Sequence, residues 1–127
     1  MRIRVERVGT ASSGHALVFF ASAVGRANGQ WMSAAPAVNS EYEVELDIPG
    51  KLIWGEQIDV SESSTPAIIE RDGNTLMFGT LQSFDGRVAE MRLGEELMLV
   101  EVDRVECQLP CNVAINIHQL RLFDANI

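Results

Sequence analysis

The chain has 127 residues, of which 46% are hydrophobic and 22% are charged, and its formal net charge is −8. This length suits one domain, residues 1–127, and the composition excludes a disordered chain, a collagen-like repeat and a coiled coil. The apolar runs are far shorter than the ~18 residues that a transmembrane helix needs, so we expect no membrane partner.

Charge is distributed unevenly along the chain. Residues 1–40 have a net charge of +3, whereas residues 41–127 have a net charge of −11. The negative charge of residues 41–127, which make up the body of the protein, repels phosphate polyanions and attracts basic partners at long range. The charge therefore disfavours nucleic-acid binding and favours a basic protein partner.

The first forty residues contain one predicted strand pair and one stretch without a clear period. Apolar residues within 3–8 and 16–20 flank the turn sequence Ser12-Ser13-Gly14, which predicts two strands. Residues 21–40 are rich in Ala, Gly, Asn and Ser, and we expect a long loop or one short helix there. Trp31 lies in this polar stretch, where an aromatic side chain indicates a lid over a barrel mouth or an anchor in an interface.

Residues 41–48 have the clearest strand pattern. Apolar residues alternate there with carboxylates, and side chains two residues apart on a strand point to the same face. One face is predicted to be buried, and the other is a ladder of like charge formed by Glu41, Glu43, Glu45 and Asp47. Such a ladder is more often a solvated outer face. The alternative is a site for a hard cation or an arginine-rich partner. We take these four residues and Trp31 as candidate partner-binding residues.

Turn sequences after residue 48 predict a series of β-hairpins. Pro49-Gly50 suits a type II turn, and Asp72-Gly73 and Asp85-Gly86 each separate alternating runs, which is the strongest short-range hairpin signal. Residues 113–117 alternate again. These runs predict an all-β chain with at most one or two short helices, folded as a small antiparallel barrel or meander of the OB-like type.

Cys107 and Cys111 are the two cysteines of the chain. A structural zinc site needs four ligands, and His118 is the one histidine that follows the pair, so we predict no metal site. A domain of this size folds without a disulfide, and we expect two free thiols in a reducing compartment. The predicted localisation is therefore cytoplasmic.

The residue types that support catalysis are scattered. No glycine-rich phosphate loop occurs, so nucleotide chemistry by that route is excluded. Ser13 and the serines of residues 61–64 suit turns, and His15 and His118 stand in no catalytic motif. We therefore predict no catalytic residue, no cofactor and no enzymatic activity.

Three hypotheses on function follow from these observations. The first is a non-catalytic, soluble, acidic module that binds a basic protein, in an immunity-type or adaptor role. The second is an OB-like protein that binds an oligonucleotide or an oligosaccharide, which the fold favours and the charge opposes. The third is a small hydrolase or metal-dependent enzyme, supported by scattered Ser, His and Glu side chains alone. The sequence favours the first hypothesis and leaves the oligomeric state open.

Overall fold

The computed structural model describes residues 1–125, and these residues form an all-β structure. No helix occurs among them, so the predicted fold class is confirmed. In chain order the strands are β1 (Arg2–Thr10), β2 (Ala16–Ser22), β3 (Gly25–Trp31), β4 (Glu41–Asp47), β5 (Lys51–Leu52), β6 (Ile58–Val60), β7 (Ala67–Arg71), β8 (Asn74–Phe84), β9 (Val88–Leu93), β10 (Glu96–Val102), β11 (Cys111–Ile117) and β12 (Arg121–Asp124).

Five of the strands close into a barrel. β1 pairs with β2 and β4, β2 also pairs with β3, and β12 pairs with both β4 and β3. All of these pairings are antiparallel except that of β12 with β3. The barrel agrees with the predicted OB-like architecture. Closure also removes the unpaired edges that an open sheet exposes.

The strands from β5 to β11 lie outside this barrel, and we call them the second sheet. β7, β8, β9 and β10 follow one another as antiparallel neighbours, as the hairpin signals predict. β11 pairs with β8 and β6, and the short β5 pairs in parallel with the end of β10. The predicted meander is therefore present, but other strands, at the two ends of the chain, form the closed barrel.

The glycines of the two predicted hairpin turns have the left-handed conformation that a tight turn requires. Gly73 has a φ of 81° and Gly86 has a φ of 101°. A residue with a Cβ is strained at such angles, so glycine suits both positions. Asp85 stabilises the second turn, because its Oδ1 accepts hydrogen bonds from the backbone N–H groups of Arg87 and Val88, at 2.8 and 2.7 Å.

Residues 25–31 form a strand, so the prediction of a loop or a short helix was wrong for them. β3 contains no β-branched residue and one aromatic, which makes its local strand signal weak. It is a strand because β2 pairs with it along one edge, and β12 pairs with Gln30 and Trp31 on the other edge. Gly29 permits this close packing, since a Cβ there would lie 3.0 Å from the carbonyl oxygen of Leu120.

The predicted two faces of β4 are present. On the predicted core face, Val44 and Ile48 are buried and Tyr42 and Leu46 are half-buried, whereas Glu45 on the other face is exposed. Side chains that are fully buried extend from the barrel into the second sheet, so one hydrophobic core connects the two parts. The largest of them include Phe20, Trp31, Ile58, Ile68, Met77, Leu81, Met91 and Ile115.

Candidate partner-binding surface

A cleft lies where the barrel and the second sheet separate. The chain passes from β4 through Pro49-Gly50 into β5, which pairs with the end of β10. Gly50 has a φ of 85° and proline has no N–H group, so these residues separate β4 from β5, and β5 is the part of this segment that pairs with β10. The resulting cavity has a volume of about 560 Å³ and is lined by Met1, residues 43–46, residues 96–99 and Ala125.

A second depression continues this cavity towards the Pro49-Gly50 turn. Its volume is about 340 Å³, and it lies between residues 47–50 and residues 99–101. Both cavities are lined by Leu99, so they adjoin each other, and we treat them together. We call the two cavities the β4–β10 cleft.

The first half of the β4 carboxylate ladder is neutralised by β1. Glu41 lies 3.9 Å from the guanidinium of Arg2, and Glu43 lies 3.3 Å from it. Arg2 is placed there by the strand register, in which it lies directly opposite Glu43. Opposite charges on facing positions of antiparallel strands stabilise the pairing by roughly 0.2–1 kcal/mol. These two carboxylates therefore have a structural role whether or not a partner binds.

The second half of the ladder contains one paired and one unpaired carboxylate. Nε of Arg121 donates a hydrogen bond to Asp47 at 2.8 Å, and the two residues lie opposite each other in β12 and β4. Glu45 has no ion pair with any residue of 1–125, and Phe123, opposite it in β12, is 37% exposed. Glu45 is therefore the ladder residue best suited to contact a partner.

Two exposed leucines of β10 form the other wall of the cleft. Met98 and Val100 face the core, whereas Leu97 and Leu99 are 50% and 66% exposed. The solvent face of an antiparallel strand is ordinarily polar, so adjacent leucines on that face are unusual. Apolar side chains grouped on a surface in this way mark an interaction site more often than isolated ones do.

The charged groups that line the cleft are mainly acidic. Arg121 and the N-terminal ammonium group are its cations, and the ammonium lies 3.0 Å from Glu96. This excess of negative charge attracts cationic side chains, and its effect on the rate of association weakens as salt is added. The carboxylates of the cleft are Glu43, Glu45, Asp47, Glu96 and Glu101.

Trp31 does not contribute to this surface, so the prediction of a lid or an interface anchor was wrong. The side chain is 1% exposed, and its ring packs edge-on against Tyr42 with 5.1 Å between the ring centres. Its Nε1 donates a hydrogen bond to the carbonyl oxygen of Ala34. The tyrosine hydroxyl in turn accepts a hydrogen bond at 2.8 Å from the N–H group of Ala37. Trp31 therefore belongs to the core and, with Tyr42, anchors the chain that follows β3.

A second surface groove lies on the outer face of β1, β2, β3 and β7. Its volume is about 710 Å³. The guanidinium of Arg7 lies 3.8 Å above the ring of Phe19, a cation–π contact. Arg26 on the same face is paired with Glu6 at 3.1 Å, and Glu70 also lines the groove. Basic and acidic groups are therefore mixed there, and the groove has no strong field of one sign.

Cys107 and Cys111 form no disulfide, in agreement with the prediction of free thiols. Burial, with a smaller contribution from the neighbouring Cys111, raises the pKa of the Cys107 thiol to about 12. Within residues 1–125, no three His, Cys, Asp or Glu side chains converge as the ligands of a metal ion would. No helix in this part of the chain is long and apolar enough to cross a membrane.

The strongest surface feature thus combines one predicted residue with others that the sequence did not single out. Glu45 was a candidate from the alternation of β4, whereas Leu97 and Leu99 were overlooked because their strand reads as a simple apolar run. The signal that identifies them is the sequence Glu-Leu-Met-Leu-Val of β10, which is apolar on both faces of a strand in an antiparallel sheet.

We compared the chain with known proteins in three ways. No protein-family model, no curated protein and no solved structure matches it. The geometry and charge of the surface are therefore the basis on which a function is assigned.

Proposed function

We propose that the protein is a non-catalytic interaction module that binds a basic protein through the β4–β10 cleft. The observation that carries this proposal is the position of Leu97 and Leu99, which are exposed beside an excess of carboxylates. Protein interfaces commonly have an apolar centre with a polar or charged rim. In this arrangement the leucines supply the contact area, and the carboxylates supply selectivity for cationic partners.

Two further features support a binding role. The chain has a formal net charge of −8, so the long-range field of the molecule has the same sign as the cleft. Such a field speeds the encounter with a basic protein and opposes association with a second acidic copy. The free thiols suit a reducing compartment, which supports a cytoplasmic location as part of this proposal. An immunity-type or adaptor role is consistent with a small acidic domain of this kind.

The test is affinity capture from a native lysate with purified wild-type and variant proteins, followed by identification of what is bound. Glu45→Lys reverses a charge of the cleft, and Glu62→Lys makes the same change at an exposed position outside it. Leu99→Ser removes apolar area from the cleft, and Val60→Ser does so at a 54% exposed position on β6. The two variants outside the cleft are matched controls for net charge and for lost apolar surface.

We expect wild-type protein to enrich basic proteins in a salt-sensitive manner. Glu45→Lys and Leu99→Ser should each reduce this enrichment by about tenfold, which corresponds to ~1.4 kcal/mol, while both controls retain it. Enrichment of acidic proteins, or equal loss in the cleft and control variants, would rule out the cleft as the binding site.

A second candidate function is binding of a single-stranded nucleic acid or an oligosaccharide on the β1–β2–β3 face. The Arg7–Phe19 contact favours it, because an aromatic ring beside a guanidinium is a stacking platform for bases and sugars. The Arg26–Glu6 ion pair and the carboxylate of Glu70 oppose binding of a phosphate backbone. We expect no binding of short mixed-sequence DNA or RNA at ~0.15 M salt, by fluorescence anisotropy. Micromolar, salt-sensitive binding that Arg7→Ala abolishes would favour this second function instead.

A further inference from the structure

The backbone of β10 has an unpaired edge that faces the β4–β10 cleft. β9 pairs with residues 96–101 of this strand on one side. On the other side β5 covers the strand at Glu101 and Val102 alone. Within residues 1–125, no strand pairs with residues 97–99 on that side. Residues of β4 lie across the cleft but pair with β1 and β12, and the chain pairs with β10 only after Pro49-Gly50, at β5.

The hydrogen bonds at the end of β10 show which residues direct their polar groups to the open edge. The N–H group of Val102 donates to Arg87, on the β9 side, at 3.0 Å. The next residue, Asp103, donates to the carbonyl oxygen of Leu52, on the β5 side, at 2.9 Å. Successive residues of a strand direct their N–H and C=O groups to opposite edges. The backbone groups of Leu97 and Leu99 therefore point to the open edge, into the cleft.

The same two residues thus present an apolar side chain on the outer face and backbone hydrogen-bonding groups at the edge. This combination is what an added strand recognises: main-chain hydrogen bonds give affinity, and alternate side chains give specificity. Exposed edges are ordinarily protected by charge, by proline or by a covering loop. Glu96 is paired with the N-terminal ammonium, so the carboxylates beside this edge that have no ion pair within residues 1–125 are those of Glu45 and Glu101. They repel acidic strands and attract basic ones.

We infer that the basic partner binds as an extended segment that adds a strand to the open edge of β10, next to β5. This inference rests on the proposed function and specifies how the partner is held. On the outer face, arginine or lysine residues of the segment lay their aliphatic stems against Leu97 and Leu99 and reach Glu45. The alternate residues of the segment face inward and are apolar, because Met98 and Val100 make that face of β10 part of the core. A second copy of this chain does not suit the edge, because its own β10 would bring the same carboxylates into contact.

The test uses a short acetylated peptide of alternating arginine and valine as the probe, with binding measured by isothermal titration calorimetry. Two matched peptides have the same side chains, but the backbone amides of all arginines or of all valines are N-methylated. Because alternate residues of a strand direct their amides to opposite edges, each modification blocks one edge of the peptide. A peptide of alternating glutamate and valine is the control for charge.

We expect the parent peptide and one methylated peptide to bind, and the other methylated peptide to bind about tenfold more weakly. The glutamate peptide should not bind. Equal binding of the parent and both methylated peptides would overturn strand addition while leaving the proposed function intact. If the parent peptide binds no more tightly than the glutamate peptide, the proposed function itself fails.

Amide hydrogen exchange provides a second readout that does not depend on affinity. The N–H groups of Leu97 and Leu99 should exchange rapidly in the free protein, because no strand covers them, and about tenfold or more slowly when the parent peptide is bound. The amides of Met98 and Val100, which point to β9, should be slow in both states. If peptide binding slowed the exchange of other amides near the cleft but left those of Leu97 and Leu99 unchanged, the result would contradict the added strand.

Discussion

Gly25 lies directly against the carbonyl oxygen of Ile68, at the point where β3 of the barrel pairs with β7 of the second sheet. A Cβ at residue 25 would overlap that oxygen, and the φ of 137° is one that residues with a side chain rarely adopt. The N–H group of Ile68 donates to the carbonyl oxygen of Val24 at 2.8 Å, which closes the same junction. The two parts of the fold are therefore joined by a contact that requires glycine.

Replacing this glycine should destabilise the whole protein. We expect Gly25→Ala to lower the free energy of unfolding by about 2 kcal/mol or more, because backbone atoms must move to accommodate the methyl group. Gly9→Ala is the control, since a Cβ at residue 9 of β1 meets its nearest neighbour, Phe19, at an ordinary distance of 3.9 Å. Urea denaturation should show a change within about 0.5 kcal/mol for the control. Equal stability of the two variants would contradict the close approach.

The two faces of β4 should respond in opposite ways to a charge. Val44→Asp places a carboxylate in the core and should unfold the domain, because a buried unpaired charge is far less stable than a solvated one. Glu45→Lys changes an exposed residue and should leave the free energy of unfolding within about 0.5 kcal/mol of wild type. Thermal unfolding monitored by circular dichroism distinguishes these outcomes. A folded Val44→Asp protein would show that the register of β4 is different.

Acid should destabilise the protein in part through Asp103. The N–H group of Trp54 donates to its Oδ1 at 2.8 Å and, with Arg104, holds the pKa of this carboxyl below its ordinary value of 3.8. A carboxyl whose pKa is lower in the folded state stabilises that state above its unfolded pKa. The stabilisation is lost as the pH falls through the lower folded value.

The variant Asp103→Asn tests this linkage. It should be less stable than wild type at neutral pH, and its stability should fall less between about pH 5 and about pH 2. Glu62→Gln, at an exposed carboxylate with no hydrogen bond to residues 1–125, should keep the pH dependence of wild type. Urea midpoints measured across this range give the comparison. If Asp103→Asn had the same pH dependence as wild type, Asp103 would not contribute to the loss of stability in acid.

The thiols should be free and, at Cys107, slow to react. Without reductant, the unfolded protein should titrate as two thiols. In the native protein at pH 8, Cys107 should be alkylated by iodoacetamide much more slowly than an exposed cysteine in a peptide. Its pKa of about 12 leaves little of the reactive thiolate at that pH. Mass spectrometry of digests locates the label. Finding no titratable thiol would remove the support for a cytoplasmic location.

Local patterns predicted the features that depend on near neighbours in the chain. The alternation of residues 41–48 predicted both the strand and its buried face, because the two-residue period of a strand is set by backbone geometry. Asp85-Gly86 predicted a tight turn for a similar reason, since the left-handed conformation is a property of those positions. The candidate site was only partly predictable, because Glu45 stands out in such a pattern and Leu99 does not.

Tertiary pairing decided what these patterns leave open. The ion pair of Asp47 with Arg121 joins residues 74 positions apart, and nothing local indicates that β12 lies beside β4. In the same way Trp31 follows a stretch with weak strand propensity, and it is buried because β2 and β12 enclose β3.

The sequence by itself therefore determined that the chain is all-β, where its clearest strands and turns fall, and that the body of the protein is acidic. Only the tertiary structure decided which strands close the barrel and which carboxylates are neutralised. It also decided that Leu97 and Leu99 stay exposed beside an open edge of β10. The physical reason is that side-chain alternation and turn conformation are local. Strand pairing depends on the packing of the whole chain, where favourable contacts on both sides of a strand outweigh its own propensity.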